Sequence, residues 1–232
     1  MSAEKLKQEL KKLANPKKAK LLQGFFKTGK GEYGEGDIFL GIMVPIQRKT
    51  AAKYTDLNLK DIQSLLNSKI HEHRLIALFI LMHKYTRADN KNKKTIYNFY
   101  LKNTKNINNW DLVDLSAHKI VGAYLEDKDR SILYKLAKSN HLWEKRISIL
   151  ATFWFIKDND FKDSLKIAKI LLNDPHDLIH KAVGWMLREI GKRDLKTEEQ
   201  FLNQHYKQMP RTMLRYSIER FEKNKKEFYM KR

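Results

Sequence analysis

Residues 71–85 read HEHRLIALFILMHKY, and this stretch decides the class of fold. Leu75, Leu78, Phe79 and Met82 recur at the i, i+3, i+4, i+7 spacing of one helix face, with no Gly or Pro among them. The spacing predicts a helix. The same period runs through 110–125, 142–156 and 176–191, and shorter helical stretches lie at 59–66, 129–137 and 161–172. Asp89-Asn90, Lys157-Asp158-Asn159 and Asn173-Asp174-Pro175 mark turns between them. Strand signals are nearly absent. The chain has 4 Pro and 9 Gly, and four of the Gly fall in Gly29-Lys-Gly31-Glu-Tyr-Gly34-Glu-Gly36, which reads as a loop. The expectation is an all-α chain of roughly a dozen helices in short hairpins.

A repeat refines that expectation. Arg74-Leu-Ile-Ala-Leu78, Trp110-Asp-Leu-Val-Asp114, Arg146-Ile-Ser-Ile-Leu150 and Lys181-Ala-Val-Gly-Trp185 begin 36, 36 and 35 residues apart. Such a period suits an α-solenoid of stacked helix pairs, here one domain over residues 1–232. Equivalent positions in stacked units fall in rows. One row reads Arg74, Trp110, Arg146, Lys181, and a second, one helical turn away, reads Leu78, Asp114, Leu150, Trp185. The inner surface of the array is thus expected to carry cations, two tryptophans and a single carboxylate.

Charge points to the partner. Lys and Arg number 47 against 27 acids, a formal charge of +20 over 232 residues. A polyanion such as nucleic acid is the usual counterpart of so large an excess. The bland alternative is solvated faces in a chain rich in Lys, Asn and Ile. No apolar run has the roughly 18 residues a membrane span needs, and residues 1–12 lack the apolar region of a secretory signal. With no cysteine there are no disulfides or thiolate metal sites, and a cytoplasmic protein is expected. His176 and His180 stand at an i,i+4 spacing that can hold zinc, but without a third ligand they read as polar residues at a helix start. His71 and His73, two apart, do not share a helix face. No P-loop or dinucleotide fingerprint occurs.

Chemistry is concentrated in Asn108-Asn-Trp110-Asp-Leu-Val-Asp114. Asn108 or Asn109 can cap a helix, and Asp111 in its first turn suits the helix dipole. Trp110 and Asp114 share a face. On spacing alone, a core tryptophan and a solvated aspartate are the better account of the pair; the repeat, which sets Trp185 near Asp114 in neighbouring units, weakens it.

Five segments, in order, resemble the AlkD-like DNA alkylation repair family. Trp110-Asp-Leu-Val-Asp114 is similar to its W-D-x-V-D motif. Phe39-Leu-Gly-Ile42 with Pro45 and Arg48 is similar to F-L-G-[IV]-x-x-P-x-x-R, and Trp143-Glu-Lys-Arg146 to W-x-x-R. Lys181-Ala-Val-Gly-Trp185-Met-Leu-Arg188-Glu189 resembles K-A-[IV]-G-W-x-L-R-E. Arg211-Thr-Met-Leu-Arg215-Tyr216-Ser-Ile-Glu219 resembles R-T-x-L-R-Y-A-I-E, with Ser217 where Ala is common. The resemblance spans about residues 20 to 222. It implies a curved stack of HEAT-like repeats with a basic concave DNA-binding face. The activity it implies is hydrolytic excision of N3- or N7-alkylated purines, such as 3-methyladenine and 7-methylguanine, from duplex DNA. Asp114 would be the catalytic carboxylate, Trp110 and Trp185 aromatic walls beside it, and Arg146 a backbone or site contact. The expected enzyme is a monofunctional glycosylase, monomeric, with no metal and no cofactor, acting without a lyase step and without necessarily flipping the base.

Arg48, Lys49, Arg74, Arg146, Lys181, Arg188, Arg211 and Arg215 are the candidate phosphate contacts. Snorkelling or internal salt bridges are the alternative for each. A competing function is a non-catalytic solenoid that binds junctions or bent duplex, and a further one is a HEAT-type protein scaffold.

Overall fold

The computed structural model describes residues 1–231. It is all-α: among the described residues there is no strand, only one backbone bridge between Ile38 and Ile70. Contacts divide the chain into two compact units, Met1–Leu112 and a second beginning at Val113.

The first unit contains α1 (Ala3–Lys12), α2 (Pro16–Phe25), α3 (Val44–Lys53), α4 (Leu59–Leu66), α5 (His71–Arg87) and α6 (Asn90–Lys102). Side-chain oxygens of Ser2, Asn15, Asn58 and Asp89 accept amide protons in the first turns of α1, α2, α4 and α6, the usual N-cap solution for orphan donors. The stretch that predicted the fold is α5. Every side chain from His71 to Met82 is buried, and α3, α4 and α6 pack against the helix. A helix buried all round belongs at the centre of a unit.

The segment before α3 is pinned to α5 by one carboxylate. Glu72, fully buried, accepts the amide protons of Leu40, Gly41 and Ile42 at 2.9, 2.8 and 3.2 Å. Gly41 lies at φ +82°, and a Cβ there would run into the Asn15 carbonyl oxygen and the Ala19 amide. Only glycine fits that backbone.

Helix α7 (Trp110–Ala117) crosses the boundary between the units and continues as a π-helical turn, His118–Gly122. The second unit then contains α8 (Ser131–Ala137), α9 (Leu142–Ala151), α10 (Phe153–Lys157), α11 (Lys162–Ile170), α12 (Asp177–Gly191), α13 (Leu195–His205), α14 (Arg211–Ser217) and α15 (Lys223–Met230). Its centre is α12, which packs on α9, α11, α13 and α14. Gly184 permits the close approach of α14, because a Cβ there would meet the Met213 carbonyl and Tyr216.

Two expected helices are interrupted. The 142–156 stretch breaks at Thr152, whose hydroxyl donates to the Ile149 carbonyl and competes with the ladder. The 110–125 stretch loses α geometry at His118. No helix among the described residues is long and apolar enough to cross a membrane.

Candidate functional site

Asp114 on α7 and Arg146 on α9 form a forked ion pair. Arg146 Nε donates to Oδ1 at 2.8 Å and Nη2 to Oδ2 at 2.7 Å. The planar guanidinium matches the carboxylate plane and fixes its orientation, a geometry lysine cannot reproduce. Arg146 Nη1 donates to the Leu178 carbonyl in the first turn of α12, which ties α7, α9 and α12 together. The Arg146 side chain is 5% exposed and that of Asp114 is 14% exposed. The carboxylate is therefore held by the interior yet reachable by a solute.

An aromatic run continues in the same unit. The His118 ring sits edge-on to Phe153 at 5.4 Å between centroids, and Phe153 lies 5.9 Å from Trp185. Trp185 on α12 is half-buried and its indole N–H donates to Glu189 at 3.0 Å. Lys157 Nζ lies 5.1 Å from the Phe153 centroid, a cation–π contact. Burial, reinforced by Lys157 and Lys119, pushes the His118 pKa down to about 4, so this ring is neutral at physiological pH. Its π-helical setting is of the kind often met at functional sites.

Trp110, the first residue of α7, belongs to the first unit. Its ring stacks on Phe26 at 4.9 Å and 15°, meets Phe25 edge-on at 5.8 Å, and directs its indole N–H to the Tyr33 hydroxyl at 3.3 Å. The side chain of Asn109 accepts the Trp110 amide proton. Beneath this lies a cluster that the spacing did not reveal. His71 Nδ1 faces Asp37 at 3.0 Å and Nε2 faces Asp111 at 2.8 Å. Arg74 donates to both Asp37 oxygens at 2.7 Å. All four of these charged side chains are buried.

The proposed phosphate contacts separate by environment. The Arg74 guanidinium is buried and bonded to Asp37 and the Ser68 carbonyl, the internal salt bridge named above as the alternative to a phosphate contact. Arg146 likewise serves Asp114. At these two positions of the row the cation is buried with a carboxylate partner, as burying a guanidinium demands. Arg188 is half-buried and paired with Glu219, and Lys181 is paired with Asp177 at 2.6 Å. Arg48 is exposed and lies over Phe79, with its guanidinium carbon 4.4 Å from the centroid. Lys49, Arg211 and Arg215 are exposed, and Arg211 donates to the Met230 carbonyl at 2.8 Å. No group of three or more His, Asp or Glu among the described residues is arranged to hold a metal ion.

Comparison with known proteins agrees with this architecture. The family model described as DNA alkylation repair enzyme matches residues 6–221. No curated protein matches the chain. Among solved structures, a predicted DNA alkylation repair enzyme from Enterococcus faecalis is similar at TM-score 0.71 and 15% identity, covering 90% of this chain and 97% of that one. AlkD2 from Streptococcus mutans is similar at TM-score 0.56 and 16% identity, covering 94% and 99%. The smu.31 protein from Streptococcus mutans UA159 gives TM-score 0.51 and 18% identity over 75% and 89%. At these identities the likeness is one of fold.

Proposed function

The chain belongs to the DNA alkylation repair enzyme family, and from that membership we propose that it is a glycosylase that hydrolyses the N-glycosidic bond of N3- and N7-alkylated purines in duplex DNA. One observation carries the reading: Asp114 is a forked, oriented carboxylate that remains partly accessible.

Alkylation at N3 or N7 leaves a purine cation, so the bond to C1′ is already weakened and the base departs without a strong general acid. As it leaves, positive charge develops on the deoxyribose, as in glycoside hydrolysis. A preorganised carboxylate opposite that charge lowers the barrier and orients the attacking water. Arg146 holds the carboxylate in place and takes no proton. Trp185 offers an indole face to the sugar or the cationic base, and the family pattern gives Trp110 the same role. No lysine is required as nucleophile, so hydrolysis stops at the abasic site. No cofactor enters this scheme, and the protein acts on DNA as a single-domain monomer.

The test is base release from duplex DNA carrying N7-methylguanine or N3-methyladenine, comparing the wild type with Asp114→Asn at two salt concentrations. The expected result is release by the wild type, lowered on the order of 100-fold or more in the variant, with duplex binding retained. A wild type that binds duplex but releases neither base would overturn the enzyme reading in favour of a protein that binds DNA structures.

A further inference from the structure

Asp37, His71, Arg74 and Asp111 are each less than one-tenth exposed, and the chemistry proposed above uses none of them. Burying two carboxylates, an imidazole and a guanidinium is a poor way to stabilise a helical unit, since desolvation offsets much of the Coulomb gain. What such a cluster supplies is direction. Its bonds converge on one side chain.

We infer that His71 is a positioning residue. By bridging Asp37 and Asp111 it clamps the glycine-rich loop to the first turn of α7 and so fixes the ring of Trp110. The link to catalysis rests on the assignment of Trp110 to the nucleotide-binding wall; the clamp itself does not.

Three routes connect His71 to Trp110, all within the first unit. The first is covalent: Asp111 follows Trp110, receives His71 Nε2 through Oδ2, and accepts the Leu112 amide through Oδ1. The second runs through rings. Phe39 lies 4.5 Å from the His71 ring at 21°, Phe26 lies 5.0 Å from it at 39°, and Phe26 stacks on Trp110. The third runs through the loop. Asp37 ends the segment that carries Tyr33, whose hydroxyl receives the indole proton, and Asn109 reaches both Asp37 and the Trp110 amide.

The geometry also sets the protonation state. Both ring nitrogens of His71 face carboxylate oxygens, which only accept, so both nitrogens must carry protons. Burial works against the imidazolium, but the charge and hydrogen bond of Asp111 and the hydrogen bond of Asp37 outweigh burial and the repulsion from Arg74, and raise the pKa to about 9. The charged groups facing the ring are Asp37 from the loop, Asp111 from α7 and Arg74 from α5. Glu72 beside it turns to the amides of residues 40–42. A neutral His71 can donate to only one carboxylate, so it loses its bond either to Asp111, which loosens the first turn of α7, or to Asp37, which Arg74 then holds alone from α5.

The experiment is an NMR titration of the protein with 15N-labelled tryptophan between pH 7 and 10.5, the Trp110 indole signal being assigned with Trp110→Phe. The expected result is a shift of that signal with a midpoint near 9. Tyr33→Phe should keep the midpoint, which separates it from ionisation of the tyrosine itself. His71→Asn should abolish the titration and lower single-turnover base release at pH 7.5 on the order of 10-fold to 100-fold, with affinity for undamaged duplex unchanged. A Trp110 signal indifferent to pH in the wild type overturns the clamp without needing any variant. A midpoint that disappears with Tyr33→Phe also overturns it. If the wild type releases no base yet the titration appears, the glycosylase reading fails and the clamp stands.

Discussion

Removing either partner of the Asp114–Arg146 pair should cost more than removing both costs per partner. Arg146→Met removes the forked counter-charge of a carboxylate that is 14% exposed and also removes the donor to the Leu178 carbonyl. Breaking a buried ion pair from one side costs about 3–5 kcal/mol, and the residual access of Asp114 to water favours the lower figure, about 3 kcal/mol. Asp114→Asn keeps one acceptor but turns an amide N–H toward the guanidinium, and about 2 kcal/mol is expected from the hydrogen bond lost to a charged group. The double variant carries neither stranded charge. It should therefore be more stable than the sum of the single losses predicts, by at least about 1 kcal/mol. Urea unfolding followed by far-UV circular dichroism at pH 7 measures all four proteins. The coupling should survive 0.5 M salt, because a buried pair is weakly screened. Additivity within about 0.5 kcal/mol would refute the reasoning, since it would mean that the two side chains do not share one electrostatic site.

Other perturbations separate surface from interior. Alanine at any one of the exposed Arg48, Lys49, Arg211 or Arg215 that contacts a phosphate should lower the salt dependence of duplex binding by about one unit of slope; Arg74→Ala should leave the slope alone while destabilising the fold, and the reverse pattern would remove Arg74 from the interior network. Glu198 is buried with Oε1 unpartnered, and burial, helped by the charge of Glu199 and opposed by Arg188, raises its pKa to about 9. The folded protein thus binds a proton that the unfolded chain releases near 4.5, so this stability is full below about 4.5 and is lost as pH rises toward 9. Glu198→Gln should raise the urea midpoint at pH 8 relative to the wild type and have little effect at pH 4.5; parallel pH profiles for the two proteins would contradict this.

The helices were legible because their signal is local. The 59–66 stretch coincides with α4, and α5 and α12 start within one residue of their expected positions. Interruptions were not legible. Thr152 breaks a helix through its own hydroxyl, and the π turn at His118 leaves the 3.6-residue pattern almost unchanged over five residues. The candidate site divides in the same way. Asp114, Trp110, Trp185 and Arg146 stand in short motifs that a sequence displays. His71 was discounted because a helix-face rule asks only about neighbours on the same helix, and its partners come from positions 34 residues earlier and 40 later in the chain. Asp111 was read as a helix-dipole residue. The stronger reason for its presence is the imidazolium it faces, which spacing cannot encode.

The repeat nevertheless explains something that neither charge counting nor motif matching does. Arg74 and Arg146 occupy equivalent positions two periods apart, near the starts of α5 and α9. Each sends its guanidinium to an aspartate from an earlier segment, Asp37 in one case and Asp114 in the other. The same device is thus used twice with different outcomes. Asp37 is only 6% exposed and shares its second oxygen with His71, so its charge is spent inside the unit. Asp114 keeps 14% exposure and lies in a unit where its neighbour His118 is neutral. A carboxylate buried between two cations is closed to a sugar cation, whereas one that is oriented by a fork and partly exposed keeps both orientation and reach. Under the proposed function it is exposure, more than the presence of an Arg–Asp pair, that distinguishes Asp114 from Asp37.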